Sequence, residues 1–172
     1  MGVRVIKETE RRTPVIIEAD VVVAGGGAAG IAAAIGVARN GYKVVLCERY
    51  GYLTGLHASA FVGCFCGFYI AIRGNLFQLI HGIGGEILDR LNKMGGLNPP
   101  VRLHRVGIQT YDHFMFKMLV EKMLLESGVK ILMHSLIVDV VMDNNKMRGV
   151  IIENKETKVM KIVRDAIPKT SC

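Results

Sequence analysis

Apolar residues recur along this chain at two spacings, and the contrast between them divides it into elements. Val21, Val22, Val23 and Ala24 form a short continuous run, the pattern of a strand covered on both faces. Ala32, Ala33, Ala34, Ile35, Val37 and Ala38 predict a helix of small residues suited to close packing on a sheet, and Gly41 after Asn40 stops it. Residues 43–47 predict a second strand. Further on, Leu79, Ile83, Ile87, Leu91 and Met94 recur every three or four residues and predict a helix over 75–94, weakened by Gly82, Gly84 and Gly85. A second helix is expected from Asp112, a good N-cap, to Ser127, with Phe116, Leu119, Val120, Met123 and Leu124 inward. Strands follow at 129–133, 136–142, 148–153 and 159–163, the middle two as a hairpin around Asp143–Lys146. Residues 3–6 and 15–17 suggest a leading hairpin. Residues 49–74 show no countable period, and 98–107, with Pro99 and Pro100, read as a loop.

This order predicts an α/β fold, a Rossmann-like core with a parallel central sheet. A helical insertion between about residues 74 and 128 and a small antiparallel β element over about 129–163 complete a single domain of 1–172. The βαβ unit spans 19–48.

Composition changes the picture little. Hydrophobic residues make up 51% and charged residues 22%, which is globular and not disordered. The net charge of +7 is spread along the chain and only 6% of residues are aromatic, so it reads as solvated surface and not as a nucleic-acid interface. Residues 58–72 lack Lys, Arg, Asp, Glu and His but are short for a membrane span and read as buried core. With no apolar leader, the chain reads as cytoplasmic. Cys64 and Cys66 lack a second ligand pair, the five histidines show no metal spacing, and no metal is expected. Both cysteines read as buried small residues, and His57 as a structural histidine.

The candidate chemistry lies in the turn between the first strand and the first helix. Gly25, Gly27 and Gly30 stand at G-x-G-x-x-G spacing: the first for a sharp turn, the second for close approach of a pyrophosphate, the third for packing of helix on sheet. The N–H groups of Ala28, Ala29 and Gly30 then face an anion from a helix N-terminus. Glu48, 21 residues beyond Gly27, stands where a dinucleotide fold places an acid on the adenosine ribose. Gly55 is a candidate backbone contact in the glycine-rich segment that follows. A glycine turn that serves packing alone is the competing reading.

Gly25, Gly27, Gly30, Ala34, Gly41, Val44 and Glu48 fit the extended G-x-G-x-x-G-x-x-x-A pattern, with its later G-x-x-V and x-x-x-E, without a gap. On these residues the chain resembles the N-terminal part of FAD-dependent oxidoreductases of the two-dinucleotide-binding, glutathione-reductase-like class. The segments ERYGYLTG, GIGGEI and GVKILMHSLIVDV extend the likeness to the bacterial FAD dependent oxidoreductase family. The resemblance implies FAD as cofactor, with Glu48 on the adenosine ribose, Arg49 flanking the adenine and the backbone around Ile137 meeting it. Thr54-Gly55 stands where relatives carry Gly-Gly, and the chain stops at RDAIPKTSC where they continue towards a segment that returns to the flavin phosphates. It therefore resembles roughly the first third of a family member, with the C-terminal part a possible partner. An NAD(P)-dependent enzyme and a non-catalytic nucleotide-binding remnant stay open beside the flavoenzyme, and no catalytic residue, substrate or electron acceptor is assigned.

Overall fold

The computed structural model describes residues 12–155 and 160–163. In chain order the elements are β1 (Val15–Glu18), β2 (Val21–Ala24), α1 (Ala28–Arg39), β3 (Val44–Cys47), α2 (Leu56–Ser59), β4 (Cys64–Ile72), β5 (Asn75–Gln78) and α3 (Gly82–Lys93). They continue with β6 (Val101–Leu103), β7 (Val106–Thr110), α4 (His113–Glu126), β8 (Lys130–Leu132), β9 (Leu136–Asp143), β10 (Lys146–Glu153) and β11 (Met160–Val163).

The strands form three sheets. The parallel sheet has the order β2-β3-β8, with Val21 beside Val44 and Val45 beside Lys130. All four β3 residues are buried because they point alternately into two cores. Val44 and Leu46 enter a core shared with Ile31 and Ile35 of α1, Leu91 of α3 and Val120 and Met123 of α4. Val45 and Cys47 enter a second core with Val150 and Ile152 of β10. The continuous apolar run thus reflects a strand covered on both sides, and the fold is the expected Rossmann-like one.

Several local expectations differ from the structure. Residues 75–94 are not one helix: Arg73 and Gly74, at φ +49° and +89°, turn β4 back into β5, and the helix begins only at Gly82. Paired left-handed residues match the twist of a two-residue hairpin, which apolar spacing does not announce. Residues 58–72, expected as buried core, hold part of α2 and all of β4, and Phe61 is 74% exposed. Residues 98–107, expected as a loop, carry β6 and the start of β7. The insertion over 74–128 therefore holds α3 and α4 together with β5, β6 and β7, and with β4 these strands form an antiparallel sheet of order β5-β4-β7-β6. Of the antiparallel element expected at 129–163, β8 instead joins the parallel sheet beside β3, and the β9–β10–β11 meander forms the antiparallel part, which β1 extends by pairing parallel to β11. Residues 3–6, the expected hairpin partner of β1, and residue 159 lie outside the described residues.

Candidate functional site

The site forms where the carboxyl ends of the parallel strands are tied together, the usual ligand position in such sheets. Gly25 N–H donates to Cys47 O at 2.8 Å, Glu48 N–H to Leu132 O at 2.8 Å, and Ser135 N–H to Glu48 O at 2.8 Å. These bonds bring residues from three distant parts of the chain to one edge.

The glycine turn has the geometry its spacing predicts. Gly25 has φ +98°, which turns the chain out of β2, and a Cβ on Gly30 would stand 1.9 Å from Gly25 O. A Cβ on Gly27 would meet nothing within 4 Å, so that position faces open space. Gly27 caps α1, and the first helical bond runs from Ile31 N–H to Gly27 O at 2.9 Å. The N–H groups of Ala28, Ala29 and Gly30 therefore have no partner inside the helix and carry the positive end of its dipole.

Two cavities meet at this turn, sharing Ala24 and Gly25. One, of about 440 Å³, is lined by Gly27, Ala28, Ala29, Gly30, Thr54 and Gly55. The other, of about 220 Å³, is lined by Cys47, Glu48, Arg49, Ser135, Leu136 and Ile137. Every site residue predicted from the sequence thus lies along one groove.

Glu48 is only 6% exposed. Gly26 N–H donates to its Oε2 at 2.7 Å and Tyr50 N–H to its Oε1 at 2.8 Å. Each carboxylate oxygen has a second lone pair, so the held group can still accept from a ligand. Arg49 lies over the Tyr50 ring, 4.5 Å from its centroid, and its Nη2 donates to the Tyr50 hydroxyl at 2.6 Å. Gly55 places its Cα so that an added Cβ would stand 3.2 Å from Gly27 Cα, which ties the glycine-rich segment to the turn.

Sequence reasoning missed three participants. Thr54, 1% exposed and held by its N–H to Gly26 O at 2.8 Å, carries a buried hydroxyl with no hydrogen-bond partner. Ser135, 2% exposed, lines the other end. The only prior signal for Thr54 was its place beside Gly55, and Ser135 gave none. His57 also reaches the groove, its Nδ1 against the Tyr111 hydroxyl, which donates to Val62 O, and its ring among Phe65, Tyr111 and Phe116. Burial, with a smaller contribution from Cys64, pushes the Tyr111 hydroxyl up to about 12, so it stays protonated. Cys47 lies buried, and its thiol is pushed up to about 11 by burial. Cys64 is half-buried and Cys66 exposed, so the expectation that both are buried fails at Cys66.

This fold and groove define a Rossmann-like FAD/NAD(P)-binding domain. The family profile described as FAD dependent oxidoreductase matches residues 20–166, and the chain belongs to that family. FAD is the cofactor that the family's description names. The groove suits such a group: unpartnered N–H and hydroxyl donors stand at one end and a carboxylate acceptor at the other.

Solved structures share the fold. The THI4 protein of Thermovibrio ammonificans is 21% identical with a TM-score of 0.58, covering 86% of this chain and 55% of that one. The 3-ketosteroid-Δ4-(5α)-dehydrogenase of Rhodococcus jostii RHA1 is 19% identical with a TM-score of 0.58, covering 88% of this chain and 45% of that one. A flavocytochrome c3 fumarate reductase in its open conformation is 16% identical with a TM-score of 0.60, covering 88% and 33%. The chain thus spans between one third and just over half of these proteins. No curated protein sequence matches it. Among the described residues, no helix is long and apolar enough to cross a membrane.

Proposed function

We propose that this chain binds the ADP moiety of FAD along the groove as the cofactor-binding part of a flavin-dependent oxidoreductase. The pyrophosphate lies at the N-terminus of α1, against the N–H groups of Ala28, Ala29 and Gly30, with Gly27 and Gly55 leaving room for it. Glu48 accepts hydrogen bonds from the adenosine ribose hydroxyls. Arg49 and the backbone around Ile137 flank the adenine. When bound, FAD supplies the hydride or single-electron chemistry, and the chain's residues bind and orient it.

The observation that carries this reading is the unpartnered Thr54 hydroxyl, buried on the wall of the cavity that α1 opens into. A buried hydroxyl without a partner costs about 1–3 kcal/mol, which a phosphate oxygen accepting from it would offset. Glu48 also favours FAD or NAD over a 2′-phosphorylated dinucleotide, because its charge would repel the phosphate. Arg49, engaged with Tyr50, does not offset that repulsion.

Titration with ADP, which has no flavin ring, tests the assignment. Thr54→Val, nearly isosteric, should weaken ADP binding about tenfold and Thr54→Ser much less, one hydrogen bond to a charged group contributing about 1.5 kcal/mol. Equal affinity in wild type and Thr54→Val would remove the hydroxyl from the site.

A further inference from the structure

Strands β4, β5 and β7, helix α3 and residues 97–100 line a separate, partly open cavity of about 340 Å³ that shares no lining residue with the cofactor groove. Gln109 of β7 lines it while only 4% exposed. Its Nε2 donates to Asn98 O at 2.8 Å, and its Oε1 has no partner.

The same bias runs along the wall. Gln78 Nε2 donates to Ile80 O at 2.7 Å, and Asn98 Nδ2 to Thr110 Oγ1 at 2.8 Å. In Gln78, Asn98 and Gln109 an amide N–H is thus spent on the protein while the side-chain carbonyl oxygen accepts from nothing among the described residues, and Asn92 and the Tyr69 hydroxyl share the wall. Asp89 of α3 adds a carboxylate that makes no ion pair among the described residues, since neighbouring Arg90 is taken by Glu86 at 2.7 Å and Glu126 at 2.6 Å. Leu97, Pro99 and Pro100 supply an apolar side. The cavity is therefore rich in acceptors, negative on one side and apolar on another.

We propose that it binds a primary ammonium compound with a short apolar body. An ammonium carries three donors and no acceptor, the complement of a cavity whose lining holds both an orphaned amide oxygen and a carboxylate without an ion pair among the described residues. The hydrocarbon part covers Leu97, Pro99 and Pro100. The volume is several times the roughly 30 Å³ share of one water, room for a small organic ligand.

The test is an NMR titration of the full chain without FAD, following the side-chain amide signals of Gln78, Asn98 and Gln109, the first two serving where Gln109 is replaced. The probes are 2-phenylethylamine, neutral 2-phenylethanol and anionic phenylacetate, of nearly equal size. The amine should shift these signals saturably and bind at least tenfold more tightly than either other probe. Asp89→Asn, at an exposed position, should weaken the amine at least tenfold and leave 2-phenylethanol unchanged. Gln109→Met, of similar volume, should abolish the preference for the amine. Should that variant fail to fold, the probe series and Asp89→Asn decide. Equal affinities for the three probes, or amine binding unaffected by Asp89→Asn, would overturn the proposal.

Discussion

Glu48 owes its place to two backbone N–H groups, from Gly26 and Tyr50, that hold its carboxylate on the wall of the smaller cavity. Its distance from the glycine turn made it legible in the sequence, because a βαβ unit fixes how far along the chain the second strand ends. Thr54 and Ser135 were not legible, since both reach the groove through backbone bonds, to Gly26 and Glu48, that no local pattern encodes. Replacing Glu48 by Ala should weaken FAD binding by about 1–3 kcal/mol, measured by quenching of flavin fluorescence. The glycines separate fold from function. Gly30→Ala should lower stability by about 1–3 kcal/mol or more, because its Cβ would collide with Gly25 O, and thermal melting reads that loss. Gly27→Val should melt within a few degrees of wild type without FAD yet bind none, because its side chain enters the open groove. A Gly27→Val protein that retained FAD would refute the assignment of the pyrophosphate to this turn.

At the scale of elements, a chain of charges joins three helices around the first core. Arg39 of α1 pairs with Glu86 of α3 at 2.6 Å, Arg90 of α3 pairs with the same Glu86 at 2.7 Å, and Arg90 also pairs with Glu126 of α4 at 2.6 Å. The hydrogen bond from Arg39, with the charges of Arg39 and Arg90, holds the Glu86 carboxyl below its ordinary value of 4.5 despite some desolvation. A depressed carboxyl contributes stability that is full above the ordinary value and fades as pH falls through the depressed one. Glu86→Gln should therefore cost about 0.5–1 kcal/mol in urea melts at pH 7, within the range for a partly exposed network, and less at pH 3. An equal cost at both pH values would mean the side chain acts through packing. The helix over 113–126 was legible because Asp112 caps it, accepting from Met115 N–H at 2.8 Å, and because its buried residues Phe116, Leu119, Val120, Met123 and Leu124 recur at helical spacing. The β4–β5 hairpin was not, since its turn needs a left-handed Arg73 and the neighbouring Leu79, Ile83 and Ile87 repeat at helical spacing.

At the scale of the molecule, β3 is the centre: its alternate residues enter two cores, one with helices α1, α3 and α4 and one with the β9–β10 hairpin. That arrangement holds the strand ends, and with them the groove, on rigid elements. The parallel unit and the fold class were legible because the glycine turn, the apolar strands and the acid agree on one geometry. The antiparallel sheet was not, because pairing between β4 and β7 spans distant residues. The central claim is that this chain binds FAD in the groove, and the visible absorption spectrum of the purified protein, recorded after excess FAD has been added and the free cofactor removed, tests it most directly. Flavin bands retained at close to one per chain, and lost in Gly27→Val, are the predicted result; a protein folded by circular dichroism yet colourless after that treatment would contradict it.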